Sequence, residues 1–203
     1  MKKLSVLILC LSLVTGVITG CSRDEFVSVL RFTDNLNSQK NSEKISLDSY
    51  FVQNEIYSAV FADGEEKILL RLITDEKGYI EEIRLTAQKV DENGQNDPVT
   101  EKRKNLFTSS IARTVSAYTY LSQEEAEEII GNMRLNDLSS YKAAGELTLT
   151  KGNFCFVYYS TDLVSMFMIY NIHLHPIEKT EKPESKPAYG NTTNIRTETV
   201  PLK

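Results

Sequence analysis

The sequence predicts an α+β fold in which an antiparallel sheet is flanked by helices. Short runs rich in β-branched and aromatic residues occur on both sides of the middle of the chain, and turn-forming residues separate them. Between the two groups of runs, apolar residues recur at the three- and four-residue spacing of helices. Neighbouring strands joined by short turns pair antiparallel. The elements are therefore expected in the order α-βββ(β)-αα-βββ.

The first half of the chain is predicted to hold one helix and three or four strands. Ser22 caps the expected helix, with Glu25 three residues later, and apolar residues continue at helical spacing to Leu36. Asp75–Gly78 is the clearest hairpin turn, because Gly78 can take a positive φ at no steric cost. The alternation of apolar and polar residues along the strand run breaks near Glu81 and Glu82, which predicts a bulge there. The strand runs are 50–52, 55–62, 67–74 and 79–87.

The second half is predicted to hold two helices and then three strands. The first helix covers 101–118, and the second follows a capping box formed by Ser122 and Glu125. The last strand run has apolar residues on both faces, which is typical of a central strand covered on both sides. The apolar stripe of the first helix is Phe107, Ile111, Val115 and Tyr118. The strand runs are 146–150, 154–160 and 164–172.

The C-terminal segment differs in composition from the rest. Residues 176–203 contain four of the five prolines and few large apolar side chains. Such a segment cannot bury enough surface to offset its ordering entropy, so we expect a disordered tail behind a single domain over 21–175. A strand-adding or partner-binding peptide is the alternative. In element order alone, the domain resembles small exported PsbP-like or β-lactamase-inhibitor-like folds, which implies an architecture and no function.

Composition and charge exclude several classes of protein. The chain has 203 residues, of which 41% are hydrophobic and 25% charged, with a formal net charge of −5. These values are close to those of globular domains and exclude a mostly disordered, collagen-like or polytopic membrane protein. The acidic balance argues against a nucleic-acid partner, since nucleic-acid binding needs a basic face.

The N-terminus has the layout of a secretory signal. Lys2 and Lys3 precede fifteen uncharged residues, Leu4 to Ile18. A helix of that length rises about 22 Å, which is short for a hydrocarbon core of about 30 Å. The layout therefore favours a cleaved signal over an anchor helix.

The end of this segment, Ile18-Thr19-Gly20-Cys21, resembles the lipobox of bacterial lipoproteins. The resemblance covers residues 1–21 only. It implies cleavage between Gly20 and Cys21, removal of residues 1–20, and a diacylglyceryl group on the sulfur of Cys21. Two or three acyl chains hold a protein stably on a membrane. The expected location is the outer side of a bacterial membrane. An ordinary cleaved signal with an unmodified Cys21 is the alternative.

Cysteine usage agrees with that expectation. Cys10 would leave with the signal, and Cys155 would remain as the one thiol. Cys155 lies in an apolar strand run with no local base, so we interpret it as a small buried hydrophobe and not as a nucleophile.

The sequence contains few residues in catalytic or metal-binding patterns. His173 and His175 would share one strand face, but two ligands do not make a metal site, and only Glu178 is nearby. No nucleophile elbow or glycine-rich phosphate loop occurs. We expect no cofactor and no metal. Tyr118, Tyr120, Tyr158 and Tyr159 fit either a core or a recognition surface.

The charged clusters are predicted to be solvated. Glu124, Glu125, Glu127 and Glu128 fall in the first turns of a helix, where negative charge is favourable and faces water. Glu65-Glu66 and Glu81-Glu82 are interpreted as solvated hairpin positions. Lys102-Arg103-Lys104 is interpreted as a solvated basic cluster at a helix start, with contact to lipid headgroups as the alternative.

These observations lead to three hypotheses of function. The first is a non-enzymatic, membrane-anchored lipoprotein that binds a protein, peptide or envelope component. The second is a carrier of a small apolar ligand held between strands and helices. The third is an enzyme with a site built from dispersed residues. The first is preferred because the sequence has an anchor and a core but no catalytic constellation.

Replacing Cys21 tests the anchor. The Cys21→Ala variant has no sulfur to acylate, so we expect the protein to leave the membrane fraction for the soluble fraction, as followed by immunoblotting after ultracentrifugation. A Cys155→Ala variant should stay in the membrane fraction. Retention of the Cys21→Ala variant in membranes would show that lipidation does not hold the chain there.

Overall fold

The computed structural model describes residues 26–39, 44–91, 93–142, 144–174 and 197–199, and it confirms the α+β fold. The described residues form three α-helices, two short 3-10 helices and an eight-stranded sheet. The helices are α1 (Val29–Ser38), α2 (Glu101–Thr119) and α3 (Gln123–Asn132), with 3-10 helices at Leu47–Ser49 and Leu138–Tyr141. The strands are β1 (Phe51–Gln53), β2 (Ile56–Asp63), β3 (Glu66–Thr74), β4 (Ile80–Gln88), β5 (Gly145–Lys151), β6 (Phe154–Ser160), β7 (Val164–Asn171) and β8 (Thr197–Thr199).

The sheet joins the two halves of the chain. Its strand order is β1-β2-β3-β4-β7-β6-β5-β8. Neighbouring strands are antiparallel except at β8, which pairs parallel to β5. The halves meet where β4 pairs with β7, with Leu85 opposite Phe167. As predicted, β7 is therefore a central strand.

The helices pack against one face of this sheet, which we call the inner face. On β3 and β4 the inner residues, such as Leu70 and Leu85, are fully buried and lie opposite each other. From α2, Tyr118 packs edge-on against Phe154 with ring centroids 5.3 Å apart. Its hydroxyl donates a 2.6 Å hydrogen bond to the carbonyl of Ile80. The core therefore forms between α2 and the inner face, and α1 and α3 contact α2.

Three local predictions are confirmed. Gly78 has a φ of 81° in the turn between β3 and β4. Ile73 pairs with Glu82 while Thr74 pairs with Ile80, which leaves Glu81 as the extra residue of a bulge. At α3, the Glu125 amide donates to the Ser122 hydroxyl at 3.2 Å, and the Ser122 amide donates to the Glu125 carboxylate at 2.9 Å. This backbone hydrogen bond holds the pKa of Glu125 below its usual value.

The predicted start of the first helix is wrong. Ser28 caps α1, so the helix begins at Val29, and Ser22 to Glu25 lie outside the described residues. The preceding residues are extended because the Val27 carbonyl accepts a 2.9 Å hydrogen bond from the Ile80 amide. Pairing with the start of β4 thus competes with continuation of the helix toward Phe26.

Two expectations about strands are also corrected. On β7, alternate residues such as Phe167 and Ile169 are buried, but Met166 and Met168 between them are only half-buried, so the strand is not fully covered on both faces. Within the tail, three residues form β8 instead of disordered chain. The rest of 176–203 lies outside the described residues.

Arg103 holds the start of α2 to the start of β3 and to the loop that follows β4. Its guanidinium pairs with Glu66, and it lies 2.8 Å from an Asp97 carboxylate oxygen. The side chains of Arg103 and Glu66 are each only 12% exposed. The prediction of solvation is therefore wrong at Glu66 and Arg103, which pair with each other at the junction. It is also wrong at Lys104, whose side chain is 13% exposed and pairs with Glu101. Lys102 remains exposed.

Substitution of Arg103 should destabilise the fold. Arg103→Met leaves the Glu66 carboxylate largely buried without its cation, which should lower the free energy of unfolding by roughly 2–3 kcal/mol. The matched control is Lys102→Met, which removes an exposed 3.4 Å ion pair with Asp63 and should cost less than about 0.5 kcal/mol. Urea unfolding followed by circular dichroism measures both. Equal effects of the two variants would contradict this account of the junction.

Candidate functional site

His173, the described member of the predicted histidine pair, does not lie on a strand. Strand β7 ends at Asn171, and His173 is exposed in the turn that follows, where its amide donates a 3.0 Å hydrogen bond to the Asn171 side chain. His175 and Glu178 lie outside the described residues, as do Gly20 and Cys21. Among the described residues, no three His, Cys, Asp or Glu side chains are arranged to hold a metal ion.

Cys155 is a buried thiol, as predicted. It is 1% exposed on β6, opposite Tyr170 of β7 and Thr150 of β5. Burial raises the pKa of this thiol, so the unreactive protonated form is favoured. The structure therefore supports its interpretation as a packed side chain.

The predicted solvated carboxylates differ in their surroundings. Glu124, Glu127 and Glu128 are exposed on α3, and Lys151 lies 3.4 Å from Glu125 and 3.3 Å from Glu128. Glu82, by contrast, is only 6% exposed and pairs with Arg84 two residues along β4. The prediction that Glu82 is solvated is wrong, because Glu82 lies opposite Tyr170 of β7 in the middle of the sheet and not at a hairpin end.

The tyrosines divide between the core and the sheet surface. Tyr118 and Tyr158 are buried on the inner side. Tyr159 is half-buried on the other side of β6, and Tyr120 follows α2 with a positive φ of 59°. Only Tyr159 of these four contributes to the surface described next.

The side of the sheet that faces away from the three described helices carries a broad apolar surface, which we call the open face. Strand register assigns these residues to one side, since alternate residues of each strand share a face. Exposure reaches 50% at Val60, and Phe51 at the sheet edge is 70% exposed. The apolar members are Phe51, Ile56, Val60, Leu69, Ile73, Val157, Tyr159, Met166, Met168 and Tyr170, and Arg71, Glu82 and Arg84 lie among them.

A groove deepens the open face at its β1 edge. It has a volume of about 880 Å³ and lies between the segment around Lys44 and the first three strands. Its walls combine apolar side chains, such as Ile56 and Leu69, with the cations Lys44 and Arg71. Ala59 and Phe61 also line it, so the groove extends around the edge of the sheet and is not the cavity between strands and helices that the carrier hypothesis expects.

Arg71 on the open face has no carboxylate to neutralise it among the described residues. Arg71 and Arg84 are directly opposite on β3 and β4, and like charges in such positions repel. Glu82 neutralises Arg84. Burial, followed by the negative charge of Glu82, raises the pKa of the neighbouring Tyr170 to about 12, so this tyrosine is neutral. Arg71 is exposed, and no carboxylate of the described chain is at ion-pairing distance from it.

This composition is typical of a binding surface. Monomeric proteins rarely expose large contiguous apolar patches, and aromatic residues, methionine and arginine are enriched where proteins bind each other. The open face has all three. Among its described residues, no nucleophile is paired with a base.

The sequence contained one signal for the open face. β3 and β7 carry apolar residues at both odd and even positions, as in KILLRLIT and VSMFMIYN, which predicts two buried faces. Three helices of this length cannot cover both faces of an eight-stranded sheet, so the same pattern also fits a sheet with one uncovered apolar face.

None of the described helices is long and apolar enough to cross a membrane. Comparison of the chain with protein families, with curated proteins and with solved structures finds no match.

The open face should contribute little to folding. Val60→Ser replaces a half-exposed side chain and should change the free energy of unfolding by less than about 0.5 kcal/mol. The neighbouring Phe61 is buried on the inner face under the guanidinium of Arg113, so Phe61→Ala should cost about 3–4 kcal/mol. Chemical denaturation measures both. A cost above 1.5 kcal/mol for Val60→Ser would indicate that another segment of the chain covers the open face.

Proposed function

We propose that this chain is a lipid-tethered, non-enzymatic binding protein of the bacterial envelope, located outside the cytoplasm, and that it docks a protein partner on its open face. One observation carries the docking part of the proposal. A sheet face spanning six strands from β1 to β6 carries apolar, aromatic and methionine side chains, and no described helix packs on it. Solvating such a surface costs free energy that a partner would recover by burying it.

The tether is supported by the resemblance of residues 1–21 to a lipoprotein signal. Phe26, where the described chain begins, is five positions after Cys21, and an extended chain of five steps spans at most about 18 Å. Val27 then pairs with Ile80 at the start of β4. An acylated Cys21 would therefore hold this end of the sheet close to the membrane surface, with the open face accessible from the side.

The kind of partner follows from size and charge. A surface that extends across several strands is larger than a small molecule covers, which favours a protein. Arg71 supplies an unneutralised positive charge at its centre, and Lys44 supplies another at the groove. A partner with an apolar surface and a carboxylate placed against Arg71 would bury the apolar side chains and neutralise this arginine.

Site-specific photo-crosslinking in intact cells tests the docking face. A benzoylphenylalanine at Val60 should yield one product of defined mass, because this position lies in the proposed interface. The same probe at Leu30, an exposed residue of α1 on the helical side, is the matched control and should yield no such product. Adding Arg71→Glu to the Val60 probe should abolish the product, since the substituted charge repels the partner's carboxylate.

Two outcomes would contradict the proposal. The first is a product that forms equally from Val60 and Leu30, or that survives Arg71→Glu. The second is the absence of a product from Val60, Leu69 and Phe51 alike when the chain is produced at its native level. A product with the mass of two chains would show that the partner is a second copy.

A further inference from the structure

A buried lysine lies at the end of the sheet farthest from Val27. Lys89 directly follows β4, and its amide donates a 2.8 Å hydrogen bond to the Leu163 carbonyl. The residue is 6% exposed. Its Nζ donates to the Ser160 hydroxyl at 2.8 Å and to the Thr161 carbonyl at 2.6 Å. The side chain thus crosses from the end of β4 to the end of β6.

The two groups that accept hydrogen bonds from this amine are neutral. The Ser160 and Ser165 hydroxyls are 3.3 Å apart, and the Tyr158 hydroxyl donates to the Ser140 carbonyl at 3.2 Å. Burial raises the pKa of Tyr158, which keeps the phenol protonated. No carboxylate of the described chain forms an ion pair with Lys89. A buried cation without an ion-pair partner among the described residues is uncommon, because buried charges are normally paired.

The charge of Lys89 is therefore only partly compensated. Burial lowers the pKa of the amine, and the negative charge of the nearby Asp162 opposes that effect only in part. An ammonium group can donate three hydrogen bonds, and the described structure supplies two acceptors. One donor and one positive charge thus remain for a group that is not part of the described chain.

A groove of about 500 Å³ opens at Lys89. Val90, Val99, Leu163 and the ring of Tyr141 give it apolar walls, and Lys142 adds a second cation. This volume is in the range of small-molecule sites, which are mostly apolar with a few placed polar groups. We propose that the groove binds a small monoanionic carboxylate with an apolar body, whose carboxylate pairs with Lys89.

The charge of the ligand follows from the lining. Asp162 also borders the groove, so the two lysines and this aspartate supply a net charge of one, which suits a monoanion better than a doubly charged phosphate. The apolar walls fit the hydrocarbon part of such a ligand. This site is independent of the open face, since it lies at the end of the core between the sheet and the 3-10 helix at Leu138–Tyr141.

Hexanoate is a suitable probe. The full chain in detergent should bind hexanoate in isothermal titration calorimetry and should melt at higher temperature in its presence, whereas hexanamide, of the same shape without charge, should do neither. Lys89→Met keeps the length of the side chain and removes the charge, so it should raise the Kd for hexanoate at least tenfold. The matched control Lys77→Met, in the exposed turn before β4, should leave the Kd unchanged.

A labelling measurement on the unaltered chain covers the case in which Lys89→Met fails to fold. Hexanoate should slow acetylation of Lys89 by an amine-reactive ester at least fivefold, as read by peptide mass spectrometry, and should not slow acetylation of Lys77. Equal Kd values for the wild-type chain and a folded Lys89→Met variant would overturn the proposal. So would unchanged acetylation of Lys89 at millimolar hexanoate, or equal binding of hexanamide.

Discussion

The pairing of β4 with β7 is the interaction on which the rest of this structure depends. It fuses two groups of strands, separated along the chain by α2 and α3, into one wide sheet. Because the helices that separate the groups all pack against the inner face, one face gains a core and the other does not. The open face is therefore a consequence of connectivity and not of a few exceptional surface residues.

The same arrangement separates stability from recognition. Burial of α2 against the inner face and the Arg103 junction stabilise the fold, whereas Val60 and Arg71 across the sheet contribute little packing. Lys89 is a third case, because a buried amine without an ion-pair partner among the described residues costs free energy unless a ligand compensates its charge. We interpret both the open face and the Lys89 groove as positions where binding takes precedence over stability.

Local features of the fold were predictable from the sequence, and long-range ones were not. The turn at Gly78, the bulge at Glu81 and the capping box at Ser122 each depend on a few neighbouring residues. The groups that Lys89 contacts lie 71 and 72 residues away, and Glu66 lies 37 residues from Arg103. Such juxtapositions depend on strand order, which hydrophobic periodicity does not specify. The predicted start of α1 is wrong for the same reason, because Val27 pairs with a strand that is distant in the sequence.

The most direct test of the central claim is the rate of methionine oxidation by hydrogen peroxide in the full chain, read by peptide mass spectrometry. Met166 and Met168 lie on the open face, and Met133 is buried beside α3 and serves as the internal reference. In the purified chain, Met166 and Met168 should oxidise several-fold faster than Met133, and in native membranes a bound partner should slow them. Oxidation of all three at the rate of Met133 in the purified chain, or no protection in membranes, would contradict the account.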